Sequence, residues 1–467
     1  MPPGSIGTIG LITQPGEFEK KYFISNPDIT FFKSVYRKHT NFSKYLKQVV
    51  RPNIQPDAPV HHTIQTGSDD LLSKVYLENK YTFTMDPETA GTGTGPVCTI
   101  YANLGSNMID TTDDDGLSID IGGNKRIFKS NGIFQEVKAE LENQMSLTVD
   151  GAGTATQHYT CAPCLELEGN SISCKNGSHY NYTTLSGGVR GMTLTKDNFD
   201  SGKNVIETEY FYTIPEFSFM KDYGLAIPLL SLRNEDITFN VKYQVFDNVF
   251  DTAANITTKL ESNFIQELIQ LDTAEKSRFL TSQLTYLTED IIHAKIDNLH
   301  PNISAHFKLC KYLFLVGEPA ADTTTAPHDT HTSRTTPTAV KFTYLNISMD
   351  GNSIYPGGTD GVPAEIFTKL NINKYFIGCG RDLGSPSAAA PAAHSLGQLD
   401  SIAMIPFSIE PTNFTQPSGC VSTLETSNKI KLDLILKDGG DNPNLRIFAI
   451  NYGILQISDG KAQLQNS

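Results

Sequence analysis

KIKLDLIL, residues 429–436, alternates residue by residue. Lys429, Lys431 and Asp433 interleave with Ile430, Leu432 and Leu434. That gives one wet face and one dry face, the two-residue period of a half-buried strand, because successive side chains of an extended chain point to opposite sides. Working outward, segments rich in β-branched and aromatic residues recur along the chain: KVYLENKYTFTM (74–85), VIETEYFYTI (205–214), DITFNVKYQVF (236–246), FKLCKYLFLV (307–316), KFTYLNISM (341–349) and LRIFAINYGILQI (445–457). Clusters of Gly, Pro, Asn and Asp separate them, such as DPETAGTGTGP (86–96) and DGGDNPN (438–444). Helical periodicity is scarce; short helices are expected around 362–371 and 262–282. Many short strands and abundant turns predict an all-β protein built of sandwiches or jelly rolls.

A length of 467 residues exceeds one ordinary domain and suits two of roughly 200 residues. Charged residues are only 19%, too few for long salt-bridged helices or a coiled coil. The formal charge of −14 disfavours a protein that grips nucleic acid over its whole face, which needs a basic surface. The N-terminus lacks the basic and long apolar regions of a signal peptide, and no run of 18 apolar residues suggests a membrane span. Seven cysteines, at 98, 161, 164, 174, 310, 379 and 420, are odd in number and mostly isolated, which fits a reducing compartment better than a disulfide framework. N-x-S/T sequons begin at Asn41, Asn176, Asn181, Asn255, Asn302, Asn346 and Asn413; without a route to secretion they read as chance matches in an Asn- and Thr-rich chain.

Two segments, 320–339 and 385–395, are small, polar and Pro-containing, and read as long surface loops or spacers. A faint internal repeat is visible. Residues 229–245 followed by 264–280 match 421–438 followed by 445–464 in pattern, so each half closes on a similar pair of strands. The boundary falls near 278–285.

Several clusters could carry chemistry. His158, Cys161, Cys164, Cys174 and His179 fall close together in HYTCAPCLELEGNSISCKNGSH. The CxxC spacing lets two thiolates on one turn reach a zinc ion, with Cys174 and a histidine such as His179 completing a tetrahedron. The surroundings read as a loop and no second CxxC follows, so unligated thiols are the favoured reading, with zinc or a disulfide within the group as alternatives. His328 and His331 lie in the 320–339 loop and are read as bland. DTTDDDG (110–116) lacks the oxygen spacing of an EF-hand and reads as a solvated turn rather than a calcium site. The phosphate-loop, nucleophile-elbow and zinc-protease patterns GxxxxGK[ST], GxSxG and HExxH do not occur, so no catalytic residue and no cofactor is expected. Basic and aromatic residues gather at Lys20, Lys21, Tyr22, Phe31, Phe32, Lys33, Tyr36, Arg37, Lys38 and His39. Such interleaving can stack single-stranded nucleic acid; the plainer reading is a strand that buries its aromatic side and shows its charges.

YFISNPDITFFKSVYRKHTNF (22–42) closely resembles the opening of the major capsid proteins of large nucleocytoplasmic DNA viruses, the chlorella viruses and their giant relatives among them. Further likenesses follow in order: SIDIGGNKRI (118–127) to the family's IGG hairpin, GLAIPLLSLRNEDITFNV (224–241) to strands near the end of a first roll, and IQLDTAEKSRFLTSQLTYLTE (269–289) to the junction between rolls. LNISMDGNSIY (345–355), PTNFTQPSGCVSTLETSNKIKLDL (411–434) and RIFAINYGILQI (446–457) resemble parts of the second roll. Two departures stand out. KSNGIFQEVKAEL (129–141) replaces a His- and Trp-containing segment, in a chain with no Trp, and 143–205 matches nothing in the family pattern.

The resemblance implies two consecutive eight-stranded jelly rolls with long loops and a few short helices. The corresponding division is an N-terminal arm (1–19), a first roll (20–277, with an insertion at about 143–205) and a second roll (278–467). It further implies a non-enzymatic homotrimer, a pseudo-hexagonal capsomer that tiles an icosahedral shell around an internal membrane, assembled in the host cytoplasm. Partners would be neighbouring capsomers and minor capsid proteins, with no specific nucleic acid, and outer loops would contact the host cell. Lys20, Lys21, Lys33, Arg37 and Lys38 are candidate inner-face or assembly contacts. The alternatives are a minor double-jelly-roll capsid subunit or a β-sandwich that binds glycans.

Overall fold

The computed structural model describes residues 26–465, apart from 87–94, 143–147, 150–156, 159–163, 176–191, 318–341, 354–360, 377–380, 383–394, 397–401, 423–429, 437–444 and a few shorter gaps. Met1–Asn41 and Phe42–Ser467 form separate compact units. In the first, the described residues between 30 and 41 contain no strand, and Phe31 (90%), Phe32 (98%) and Tyr36 (89%) are exposed. A strand with a buried aromatic side is therefore not what these residues form.

The second unit contains two sandwiches of the same design. In the first half, one sheet runs in the order Phe42–Ile54, Ile256–Leu271, Leu71–Met85, Val205–Thr208, Ser171–Lys175, Cys164–Glu168, with Phe211–Thr213 also on Leu71–Met85. Facing it are Pro59–Ile64, Ile237–Lys242, Leu117–Ile121 and Lys125–Ser130, and a small sheet of Met192–Thr195, Pro96–Ile100 and Phe250–Thr252. In the second half, Leu284–Ile296, Leu445–Ser458, Leu309–Gly317 and Ile402–Pro406 form the large sheet, while Phe342–Met349 and Ile430–Leu436 anchor the small one. Both large sheets begin alike: the half's last long strand lies between its first strand and the next long one. The faint repeat in the sequence is this duplicated wiring.

Alternation builds the cores. In Leu71–Met85 every second residue from Ser73 onward is buried while the residues between are half-exposed, so Val75, Leu77, Tyr81, Phe83 and Met85 enter the first core. Ile430, Leu432 and Leu434 enter the second. The chain turns sharply at Gly122–Gly123, both at positive φ (66° and 80°), closing the hairpin of SIDIGGNKRI between Leu117–Ile121 and Lys125–Ser130. Helices are short. Thr273–Thr281 follows the Ile256–Leu271 strand, so the helix expected over 262–282 forms only in its second part. A helical stretch, Ile366–Leu370 continuing into Asn371–Tyr375, covers the end of the other expected helix and runs beyond it.

Candidate functional site

The junction between the two halves combines apolar packing with polar links. Gly132–Glu142 is an α-helix whose Asn131 accepts the Phe134 N–H at 2.9 Å, a side-chain N-cap. Ile133, Phe134, Val137 and Leu141 recur at helical spacing and pack on Tyr312, Phe314, Val316, Ile402, Met404, Phe448 and Ile450, the outer face of the second half's large sheet. The Phe134 and Phe448 rings meet tilted by 51°, with centroids 5.5 Å apart. Leu309–Gly317 is thus covered on both faces. The odd residues Leu313 and Leu315 enter the second core, and the even ones meet the helix.

Polar links reinforce the contact. Lys129 pairs with Asp290 at 3.4 Å, and Arg446 donates to the Thr111 carbonyl at 2.8 Å. At the far end, Leu445–Ser458 and Lys461–Gln465 form a hairpin through Asp459 and Gly460, both at positive φ (54° and 80°). Its turn docks on Asn234 and Glu235: the Asn234 amide donates to the Asp459 carbonyl at 3.2 Å, and the Ala462 N–H donates to Glu235 at 2.8 Å. Leu455, Ile457 and Ala462 then complete the first core. One strand, Leu445–Ser458, therefore contributes to three apolar clusters.

Within the second half, Lys311 is fully buried on the bulge between Cys310 and Tyr312. It pairs with Glu289 and lies 5.1–5.5 Å from the ring centroids of Tyr312, Phe414 and Tyr452. An ammonium held by one carboxylate and three ring faces is a desolvated cation–π arrangement. It anchors the loop that carries Phe414, whose Ser418 N–H donates to the Tyr452 hydroxyl at 3.2 Å.

The free edge of the first half is a different surface. Phe42–Ile54 is hydrogen-bonded on one side only, to Ile256–Leu271, among the described residues. It is exposed at all but three of its positions. Phe42, Leu46 and Val50, at 60%, 66% and 56% exposure, share one face. Lys44 donates to the Tyr223 hydroxyl at 3.1 Å, and Lys47 to Gln65 at 3.1 Å.

The other candidates distribute as follows. Lys33, Arg37 and Lys38 are exposed; Lys20 and Lys21 lie outside the described residues. So do Cys161, His179, His328 and His331. His158 lies in a two-residue strand paired with Thr148–Val149. Around Cys164 and Cys174 the chain is a β-hairpin that extends the large sheet, not a loop. Its register sets Cys174 opposite Leu165 and Lys175 opposite Cys164, so the two cysteines do not face each other as a pair. Cys174 packs against the first core. Among the described residues no group of His, Cys, Asp and Glu is arranged to hold a metal ion. Burial pushes the Cys98 thiol up to about 12 and raises that of Cys310, which keeps both protonated and inert at neutral pH. Asp110 is buried and pairs with Lys242 at 2.5 Å, so the acidic run begins as structure rather than as a solvated turn; 112–115 lie outside the described residues.

Two jelly rolls in tandem, joined by a buried helix and a shared strand, define a double-jelly-roll protein. The model of the major capsid protein N-terminus matches residues 30–278. Over 457 residues the chain is 23% identical to the major capsid protein of Pyramimonas orientalis virus, covering 96% of both. It is 26% identical over 304 residues to capsid protein 1 of Acanthamoeba polyphaga mimivirus, 62% of this chain but only 44% of that one. A subunit of the PBCV-1 virus capsid superposes with a TM-score of 0.62 at 17% identity, over 94% of this chain and 100% of the other, a likeness of fold. The chain belongs to the major capsid protein family. A capsid protein works by assembling with neighbouring subunits, so its functional surfaces are its contacts.

Proposed function

We propose that this chain is the repeating subunit of an icosahedral shell of a large DNA virus, active as a homotrimer whose six rolls form a pseudo-hexagonal capsomer. The observation that carries the reading is the junction. A helix buried between the halves and a strand common to both make two rolls one rigid block, which is what a tile with six similar lateral faces requires. Closed three-fold symmetry then limits growth within the capsomer, and many individually weak contacts between capsomers add up across the shell. The role is structural, without catalysis. The division of the chain is an arm (1–19), a first roll (20–277) and a second roll (278–467), with the change of roll at the Thr273–Thr281 helix.

The arm and the basic cluster that follows it, Lys20, Lys21, Lys33, Arg37 and Lys38, face the shell interior and meet minor capsid proteins or the anionic surface of an internal membrane. The outer loops, among them the 143–205 region and 320–339, face the host cell. Synthesis and assembly take place in the host cytoplasm. Light scattering on a sizing column tests the trimer: a mass three times the 51.3 kDa of one chain supports it, and a stable single-chain mass overturns it. Deleting residues 1–16 is expected to leave the trimer intact and impair shell assembly; normal shells from that deletion would remove the arm's assigned role.

A further inference from the structure

The large sheet of the first half is interrupted where Val205–Thr208 gives way to Phe211–Thr213. Glu207 lies opposite Thr82 and Phe211 opposite Asn79, so the step from 207 to 211 answers a shorter one from 82 to 79. That is a bulge, a device that re-aims side chains and recurs beside binding sites. Thr208 turns inward there, its hydroxyl accepting the Tyr81 N–H at 2.8 Å. Glu209 and Tyr210 are left exposed, Tyr210 with 47% of its surface open. Beside them lies an open depression of about 540 Å³, lined by Lys80, Asn170, Ser171, Glu207, Glu209 and Tyr210 among others. Lys80 pairs with Glu207 at 2.6 Å and stands 5.7 Å from the Tyr210 ring centroid. The parallel pairing of Ser171–Lys175 with Val205–Thr208 fixes the opposite wall: Glu207 N–H donates to the Asn170 carbonyl at 2.9 Å, and Glu209 N–H to that of Ile172 at 2.7 Å. A surface ion pair adds little to stability. What this one supplies is a fixed ammonium and carboxylate beside an exposed ring.

We infer that this depression binds a neutral saccharide. A pyranose has an apolar face of C–H bonds, which packs on an aromatic ring, and a rim of hydroxyls that both donate and accept. Tyr210 offers the ring, Lys80 and the Asn170 amide offer donors, and Glu207 and Glu209 offer acceptors. A concave site with one apolar platform and a few convergent polar groups is the usual form of a small-ligand pocket. One ammonium against two carboxylates leaves these lining groups net negative, which repels phosphate, sulfate and sialic-acid carboxylates. A cationic sugar would meet the Lys80 ammonium, already seated on Glu207, so an uncharged one fits best. The depression lies toward the end of the sandwich from which the loops depart: Met85 N–H donates to the Asn204 carbonyl at 2.9 Å, so the 86–96 turn cluster and the 143–205 region leave side by side. On the reading that the 143–205 region faces the host cell, the sugar is one displayed on that cell, and weak single sites gain strength by repetition over the shell.

The full chain in solution is tested against immobilised oligosaccharides ending in galactose, glucose, mannose, fucose or N-acetylglucosamine, with sialylated and sulfated ones beside them. At least one neutral terminus is expected to be bound in preference to the acidic ones. Tyr210→Ala and Glu207→Gln are each expected to weaken that binding about tenfold or more, and Tyr210→Phe, which keeps the ring, to leave it within about threefold. Unchanged circular dichroism and melting confirm that the variants keep the fold. Binding of no neutral probe, a preference for the acidic probes, or binding that Tyr210→Ala leaves unchanged overturns the inference. The source of the sugar is read separately, on assembled shells. Asn170→Cys, at an exposed position, is expected to take up a maleimide reagent too large to enter the shell, above the level of the wild type. Shells without that extra label, from a chain that binds the sugar in solution, overturn the host-facing placement alone and assign the sugar to the virion's own interior.

Discussion

His62 is buried, and neither ring nitrogen has a hydrogen-bond partner. It stacks on Phe264 with centroids 4.7 Å apart and lies 6.3 Å from Phe239. Desolvation, then the charges of Arg51 and His61, lower its pKa from 6.5 to about 4. A depressed histidine pKa means the unfolded chain binds the proton more readily. The stabilisation is therefore complete above the unfolded value of 6.5 and lost as pH falls toward 4, on the order of 3 kcal/mol over the window. Denaturant melts of the wild type and of His62→Phe between pH 7 and pH 4 should diverge, the variant losing less stability on acidification; parallel curves would contradict this. Lys311 offers a second test. Lys311→Met strands Glu289 in a buried site and is expected to cost about 3–5 kcal/mol, whereas Lys311→Met with Glu289→Leu should recover most of that loss. Denaturation midpoints of the two variants decide it.

At the scale of elements, the helix Gly132–Glu142 and the Asp459–Gly460 turn hold the halves together. Phe134→Ala removes a ring from the junction and is expected to cost about 3–5 kcal/mol. Calorimetry is expected to show one transition for the wild type and two for the variant as the halves uncouple. Gly460→Ala places a Cβ at a positive φ and 2.5 Å from the Asn234 amide nitrogen. A loss of roughly 1–2 kcal/mol is expected, with faster hydrogen exchange at Ala462.

The sequence displayed these elements unevenly. Strands with one wet and one dry face, such as Leu71–Met85 and Ile430–Leu436, were legible because alternation is a direct imprint of half-burial. Phe42–Ile54 showed no such imprint, since both its faces are largely exposed. The junction helix was signalled by Asn131 before Ile133, Phe134, Val137 and Leu141, yet eleven residues are too few to outweigh a β-rich background. The cysteine hairpin carried a signal too: Leu165 and Leu167 alternate with Glu166 and Glu168 before the Gly169–Asn170 turn. Reading the surroundings of the cysteines as a loop obscured it. The apolar run Tyr312–Val316 pointed to a strand covered on both sides, but what covered it required tertiary contacts to see.

For the whole molecule, the family and the duplicated rolls were carried by motif and repeat, whereas the coupling between the rolls was not. That coupling predicts behaviour at a distance. Leu455→Ala with Ile457→Ala, in a strand of the second half, should accelerate hydrogen exchange in Leu71–Met85 of the first, because those side chains complete its core. Exchange measured by mass spectrometry would show it, and unchanged protection of 71–85 would refute it.

The same strand imposes an order on synthesis. At about 5–20 residues per second, the ribosome needs roughly 20–70 s after making residue 85 to reach residue 455. During that interval the nascent first roll lacks Leu455, Ile457 and Ala462, and the place they fill stays open. A chain terminated early never fills it. It offers chaperones and proteases an exposed core instead of a finished tile, so mainly full-length copies would pass into the growing shell.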